Sequence, residues 1–356
     1  MSVIAAVGRA EFQAVSALQK TRSPYATVLT KAPSASILCR MDASTRIENF
    51  SGHDGVSLAL EHFDATDALS KRNRLIYTHG FGQNRLSWGT TALRLAAAGW
   101  AGTALDGRGH GDSAWSADGS YELDHFVWDL TALARAHTNE AVDGAKPILV
   151  GASMGGLLAL LAQAQADIFS AIILVDVTPR WETAGVSRIF EFMRAHPNGF
   201  ASLEEAAAEV SRYLPHRDPK NPERLRGHLR AGSDGRLRWH WDPRLLEHIP
   251  KASERYIPRL EAAASLVRCP VLLLSGGKSD VVSASTIASF QALVPHAEHR
   301  EISDATHMIV GDRNDQFSAE IENYLASLEV SNLSTAVSNL STAVSKASIN
   351  TSKSLT

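Results

Sequence analysis

Residues 151–156 read GASMGG and place Ser153 between Gly151 and Gly155, in the pattern G-x-S-x-G. The run directly follows the apolar segment Pro147–Val150 and opens a helical pattern at Met154. On a sharp turn from strand to helix, a serine presents its hydroxyl as a nucleophile, and glycines stand where side chains would obstruct the turn. This context predicts a nucleophilic Ser153 rather than an incidental serine in a glycine turn.

A general base must accompany such a serine, because a serine hydroxyl is a poor nucleophile at neutral pH. The chain has 14 histidines. His307 follows the last strand candidate, His299–Ile302, in a short loop before the terminal helix predicted over Asp312–Leu328. We predict that His307 is the base.

Three aspartates compete for the role of the acid that orients this base. Asp280 closes the run GKSD after the strand candidate Val271–Leu274, and the chain order Ser, Asp, His is that of one known triad arrangement. Asp176 ends the strand before a helical insert and is the alternative triad acid. Asp304 lies close to His307 in sequence. We predict Asp280.

Backbone N–H groups must stabilise the oxyanion that the attack creates. Met154, which follows the nucleophile, is predicted to supply one. Phe81, in the run HGFG after the strand candidate Leu75–Thr78, is predicted to supply the other. We interpret His79 and His110, both beside glycines, as histidines that shape turns.

The substrate pocket is predicted from aromatic and polar residues near these motifs, since pockets combine apolar walls with a few polar groups. The predicted lining residues are Asn84, Trp88 and Trp181, with Phe190, Phe192 and Trp241 as further candidates. No His, Cys and Asp spacing indicates a metal site. The glycine-rich run at 106–113 lacks the phosphate-loop pattern, so neither a metal nor a cofactor is expected.

The elements that must position these residues alternate between strands and helices. Short, continuously apolar runs suit strands buried in a parallel sheet, and Asp54-Gly55 indicates a hairpin between the first two strands. Strands are predicted at Arg46–Phe50, Val56–Phe63, Leu75–Thr78, Ala101–Leu105, Pro147–Val150, Ala171–Val175 and Val271–Leu274, and helices at Thr90–Ala98, Leu123–Ala136 and Met154–Ala166. This alternation predicts an α/β fold with a mostly parallel sheet.

The alternation stops over residues 179–266, a polar and helical stretch with a capping box at Ser202 and Glu205. The sheet pattern resumes at Cys269. We therefore predict one core, residues 41–178 and 267–329, with a helical cap inserted at 179–266.

Both ends differ from the middle of the chain. Residues 1–40 form a basic extension, either a transit peptide or an unstructured or misassigned extension. Residues 330–356 are predicted to be a low-complexity tail, in which SNLSTAV occurs twice. The predicted compartment is the cytoplasm, or a mitochondrion or other organelle if residues 1–40 are a transit peptide.

Composition excludes several classes of protein. A hydrophobic fraction of 44% excludes disorder throughout, and two cysteines exclude a disulfide scaffold. A formal net charge of -3 argues against nucleic-acid binding as the main function. No apolar run approaches the roughly 18 residues of a membrane helix. The expected partner is a small-molecule ester or lactone, and the sequence does not determine the oligomeric state.

Taken together, the motifs resemble the α/β-hydrolase superfamily of serine hydrolases over about residues 46–328. They are HGFG (79–82), DGRGHGDS (106–113), GASMGG (151–156), GKSD (277–280) and the late His307. The resemblance implies an eight-stranded, mostly parallel sheet flanked by helices, a cap after the sixth strand, and a Ser-His-Asp triad that uses no cofactor.

Departures from related groups narrow the expected activity. Despite an epoxide-hydrolase-like cap, Ser153 stands where haloalkane dehalogenases and epoxide hydrolases have Asp. HGFG replaces the HGWP of cofactor-free haloperoxidases and perhydrolases, and Met308 replaces the Trp of carbon–carbon bond hydrolases. We therefore predict hydrolysis of a carboxylic ester of a small to medium, mostly apolar substrate. The alternatives are a lactonase, amidase or perhydrolase on the same triad, or a receptor-like ligand-binding protein.

Overall fold

The computed structural model describes residues 45–66, 73–141, 143–215, 221–247, 254–312 and 315–331. The predicted extension at 1–40 and all but the first two residues of the predicted tail lie outside these ranges. Within the described ranges, no helix is long and apolar enough to cross a membrane.

The strands, numbered along the chain, are β1 (Thr45–Ser51), β2 (Ser57–Phe63), β3 (Leu75–Thr78), β4 (Gly102–Leu105), β5 (Ile148–Ala152), β6 (Ala171–Val175), β7 (Leu229–Ala231), β8 (Leu237–Trp239), β9 (Val271–Gly276) and β10 (Glu298–Ile302). Eight of them form one sheet in the order β1-β2-β4-β3-β5-β6-β9-β10. The pairs β1/β2 and β2/β4 are antiparallel, and every other neighbouring pair in this sheet is parallel. The predicted mostly parallel, eight-stranded fold is confirmed.

The helices are α1 (Gly89–Ala97), α2 (Leu123–Glu140), α3 (Met154–Ala166), α4 (Thr183–Arg194), α5 (Leu203–Tyr213), α6 (Ile257–Leu266), α7 (Ala284–Leu293), α8 (Ile309–Asp312) and α9 (residues 315–331). Short 3-10 helices cover Arg85–Trp88, Pro222–His228 and Glu254–Tyr256. The sheet lies between two apolar layers, since α1 and α9 pack on one face and α2, α3, α6 and α7 on the other.

Strand periodicity explains why both faces of the sheet are covered. Successive residues of a strand point to opposite faces. Leu149 and Ile172 join the layer of α2 and α3, whereas Val150 and Ile173 join the layer of α1 and α9. All four are at most 2% exposed, which accounts for the continuously apolar runs of the parallel strands.

The segment predicted to be a helical cap contains more than helices. It holds α4 and α5, but β7 and β8 also pair as an antiparallel ribbon. This ribbon was not predictable from the sequence, because its strands are three residues each and too short to show a period. The last ten residues of the segment form α6, which packs against α3 of the core.

Candidate active site

Ser153 occupies the sharp turn between β5 and α3 with a positive φ of 48° and a ψ of -121°. Such a backbone is strained for a residue with a side chain, at a cost of about 1–3 kcal/mol, and the Ser153 N–H donates to Val175 O at 3.0 Å. The flanking glycines are sterically required. A Cβ on Gly151 would lie 2.7 Å from Gly156 N, and one on Gly155 would lie 2.6 Å from Thr78 O.

His307 contacts Asp176, the residue that immediately follows β6. The Nδ1–H of His307 donates to Asp176 Oδ2 at 2.7 Å. The same carboxylate accepts from Gly276 N–H at 2.8 Å and from the Ser279 hydroxyl at 2.6 Å. Asp176 is fully buried, and these donors offset the cost of burying its charge. Because Nδ1 carries the proton, Nε2 of His307 is free to accept one.

The prediction that Asp280 orients His307 is corrected by this geometry. Strands β6 and β9 are parallel neighbours, so residues that follow either strand reach the same edge of the sheet. Asp176 directly follows β6, whereas Asp280 lies four residues beyond the end of β9. That loop carries Asp280 to the cap, where its carboxylate pairs with Arg188 of α4 at 2.8 Å.

The two predicted oxyanion donors are available. In the described part of the chain, neither the Phe81 nor the Met154 N–H has a protein acceptor. Met154 is the first residue of α3, where helical N–H groups lack intrahelical partners. The loop of Phe81 adjoins Ser153, since a Cβ on Gly80 would lie 3.1 Å from Ser153 Cβ.

His79 and His110 hold backbone turns, as the sequence analysis interpreted them. Nε2 of His79 accepts from Gly107 N–H at 2.9 Å, and its Nδ1–H donates to Gly80 O at 2.8 Å. Nε2 of His110 accepts from Gly82 N–H at 3.2 Å. Burial lowers the pKa of His110 to about 3. Its ring therefore stays neutral and can act as the acceptor.

Ser153 and His307 line one cavity of about 1080 Å³ of empty space, part of it open to solvent. The wall is mostly apolar and aromatic, and none of the described residues that line it is an aspartate, glutamate, lysine or arginine. Trp181, Phe190, Phe192 and Trp241, all predicted candidates, contribute to it, together with Met193 and Tyr213.

Asn84 and Trp88, predicted to line the pocket, lie elsewhere. Trp88 is fully buried beside Tyr77 and Phe317, in the layer of α1 and α9. Asn84 is also buried, and its amide donates to Gly227 O of the cap at 3.0 Å. The one-turn helix Arg85–Trp88 turns these side chains away from the cavity, a change of direction that their sequence proximity to Phe81 did not reveal.

Buried polar contacts join the segment predicted to be a cap to the core. The Asp242 carboxylate accepts from the Tyr121 hydroxyl at 2.6 Å, and the Asp242 N–H donates to Gly109 O at 2.8 Å. His240 Nδ1 accepts from Gly111 N–H at 2.8 Å. The contact of His240 was not predictable from the sequence, because nothing in the local pattern pairs this residue with the glycine-rich run at 106–113.

A family model described as serine aminopeptidase, S33, matches residues 70–314. The chain belongs to the serine aminopeptidase S33 family. It is 28% identical over 247 residues to a 3-hydroxybutyrate-oligomer hydrolase of Cupriavidus necator, covering 65% of this chain and 82% of that protein. It is 34% identical over 234 residues to an esterase of Mycobacterium tuberculosis, covering 63% of this chain and 72% of that protein.

Among solved structures, an E-2-(acetamidomethylene)succinate hydrolase superposes with a TM-score of 0.67 at 22% identity, over 80% of this chain and 100% of that one. At this identity the likeness concerns the fold, which is that of an α/β-hydrolase. With its S33 membership and hydrolase relatives, the chain is an enzyme that hydrolyses esters or related bonds. The receptor-like alternative is therefore set aside.

Proposed function

We propose that this enzyme cleaves neutral, largely apolar carboxylic esters through an acyl-enzyme, with Ser153, His307 and Asp176 as its catalytic triad. The observation that carries the proposal is the buried hydrogen bond between Asp176 and His307, since His307 lines the same cavity as Ser153. Asp176 thus takes the role that the sequence analysis gave to Asp280.

In the acylation step, His307 Nε2 accepts the proton of the Ser153 hydroxyl while the oxygen attacks the ester carbonyl carbon. The Asp176 carboxylate stabilises the imidazolium that forms. The carbonyl oxygen becomes an oxyanion, which the N–H groups of Phe81 and Met154 stabilise. Each such donor contributes about 3 kcal/mol to transition-state stabilisation in comparable sites.

As the tetrahedral intermediate collapses, the carbon–oxygen bond to the alcohol breaks and His307 returns its proton to the leaving alkoxide. In the deacylation step His307 removes a proton from water, which attacks the acyl carbon. Ser153 then leaves with the proton from His307, and the free acid is released. The cycle consumes one ester and one water and regenerates the resting enzyme.

The cavity wall supports a neutral acyl or alcohol group. Trp181, Phe190 and Phe192 offer apolar area, and the part of the lining that the structure describes contains no lysine or arginine to pair with a substrate carboxylate. An unpaired carboxylate would lose its hydration without compensation. A dicarboxylate such as the succinate named for the structural relative therefore fits this wall poorly.

The decisive variant is Ser153→Ala. Removing the nucleophile of a triad enzyme costs about 10⁶-fold in kcat, so p-nitrophenyl butyrate hydrolysis should fall to background. A fluorophosphonate should also cease to label the protein, as read by intact mass. Ser289→Ala is the matched control, because Ser289 is an exposed residue of α7 outside the cavity wall. Ester hydrolysis by Ser153→Ala within about tenfold of the native rate would refute the assignment.

A substrate panel tests which class of ester or related bond the enzyme prefers. Neutral esters of graded acyl length are compared with an ester that carries a free carboxylate, a lactone, an anilide, and an ester supplied with hydrogen peroxide. We expect neutral esters to have the highest kcat/KM and the carboxylate ester to be at least about tenfold poorer. A preference for the charged ester would contradict the proposed substrate class, and a preference for the lactone, the anilide or peroxide would select one of the alternative activities.

A further inference from the structure

Two of three consecutive amides in the predicted oxyanion loop are already bonded within the protein. The Gly80 N–H donates to Gln83 Oε1 at 3.1 Å, and the Gly82 N–H donates to His110 Nε2 at 3.2 Å. Among the described residues, no protein acceptor takes the Phe81 N–H between them. The Phe81 N–H is therefore available to a ligand.

The orientation of that N–H follows from peptide geometry. The Phe81 N–H and the Gly80 carbonyl belong to one planar trans peptide, in which the two bonds point in opposite directions. The Gly80 carbonyl accepts from Gln83 N–H at 3.0 Å and from His79 Nδ1–H at 2.8 Å. Fixing the carbonyl therefore fixes the direction of the Phe81 N–H. Accepting these bonds also polarises the amide and strengthens it as a donor.

Gln83 makes two hydrogen bonds with Gly80. Its main-chain N–H donates to the Gly80 carbonyl, and its side-chain oxygen accepts from the Gly80 N–H. The NH₂ group of the same side chain reaches the opposite wall of the site, where Nε2 donates to Met308 Sδ at 3.3 Å. Met308 directly follows His307. One side chain thus spans the loop of the oxyanion donor and the loop of the base.

We propose that Gln83 is the positioning residue that orients the Phe81 N–H toward the oxyanion. It also fixes the position of this loop relative to the His307 loop. The inference rests on the proposed function, in which Phe81 supplies an oxyanion donor. It assigns Gln83 no contact with the reacting atoms. Gln83 acts through the Gly80–Phe81 peptide.

The test is Gln83→Met, which keeps the length and volume of the side chain but removes both amide contacts. An oxyanion donor acts mainly in the transition state, so its misalignment should lower kcat and leave KM unchanged. We expect kcat on a neutral p-nitrophenyl ester to fall about 10- to 100-fold, less than the loss of a whole donor. KM should stay within about twofold.

A trifluoromethyl ketone provides a second readout, because its adduct with Ser153 carries an oxyanion. Its inhibition constant should rise by about the same factor as kcat/KM falls. The acidic limb of the pH–rate profile should not move, because the Asp176–His307 hydrogen bond is untouched. Gln291→Met is the matched control, since Gln291 is an exposed residue of α7.

Gln83→Asn serves as a second variant if Gln83→Met does not fold, as judged by circular dichroism. Its shorter side chain withdraws the oxygen from Gly80, and the same loss in kcat is expected. A kcat within about twofold of the native value, or a loss that lies entirely in KM, overturns the positioning role. Failure of the proposed function looks different, because Ser153→Ala would then keep its activity.

Discussion

Replacing one carboxylate oxygen with an NH₂ group, in Asp176→Asn or in Asp280→Asn, discriminates between the two candidate triad acids. In Asp176→Asn, the remaining oxygen keeps its bond with Gly276 N–H, so the new NH₂ group faces His307 Nδ1 and the Ser279 hydroxyl. An NH₂ group donates, so it stabilises the imidazole tautomer whose Nδ1 is unprotonated. That tautomer carries its proton on Nε2 and cannot accept one from Ser153.

The expected loss in kcat follows from this loss of the productive tautomer. Triad enzymes lose about 10⁴-fold in kcat when the acid becomes an amide, which is about 5 kcal/mol of transition-state stabilisation. Asp280→Asn removes only the ion pair with Arg188, whose two side chains are 32% and 54% exposed. Exposed pairs contribute about 0–1 kcal/mol to folding, so kcat should stay within about threefold of the native value.

The assay is steady-state hydrolysis of p-nitrophenyl butyrate by both variants, with the midpoint of urea denaturation measured for each. A folded Asp176→Asn variant of nearly native kcat, beside an inactive Asp280→Asn variant, would refute the reasoning and return the acid role to Asp280. Equal losses in both variants would show that Asp280 also sets the position of the base.

Two further predictions concern stability. Tyr121→Phe removes the hydroxyl that donates to the buried Asp242 carboxylate at 2.6 Å, and should lower the free energy of unfolding by about 1.5–3 kcal/mol, measured by urea denaturation at pH 7. The second concerns His137, which is buried and has both ring nitrogens unpaired among the described residues. Burial, then the charges of Arg74 and His62, lower its pKa from 6.5 to about 4. Below pH 6.5 the unfolded chain binds the proton that the fold excludes, so stability should fall by about 3 kcal/mol in total as the pH drops from 6.5 through 4. His137→Leu should remove that part of the pH dependence.

Both stability predictions have a clear contrary outcome. A Tyr121→Phe variant that unfolds at the native urea concentration would mean that Arg244, which also contacts Asp242, satisfies the carboxylate alone. Identical pH dependence of native protein and His137→Leu between pH 7 and pH 4.5 would mean that His137 takes up its proton in the folded state.

The strands and the strand-to-helix turn were predictable because their causes are local. Ala171–Val175 and Leu75–Thr78 are strands over the predicted residues, since a continuous apolar run between turn residues suits a buried parallel strand. The turn at Ser153 was predictable in the same way, because the connection between β5 and α3 needs glycines at fixed offsets. The cap was predicted from an interruption of the pattern, without the ribbon that residues 179–266 contain.

The lining of the pocket was predictable only in part. Trp181 and Trp88 are both tryptophans near a motif, and sequence proximity did not distinguish them. Trp181 lines the cavity, whereas Trp88 is buried in the layer on the other face of the sheet. The face that a side chain occupies depends on the direction of a one-turn helix.

The sequence by itself determined the order of the elements, the nucleophile candidate and the late histidine, because strand periodicity and turn chemistry act between residues close in the chain. Only the tertiary structure decided which carboxylate meets His307. Chain order is the same for Asp176 and Asp280, but parallel pairing of β6 with β9 brings two distant strand ends to one edge. The loop after β9 is long enough to carry Asp280 to Arg188, and Asp176 is left in contact with His307.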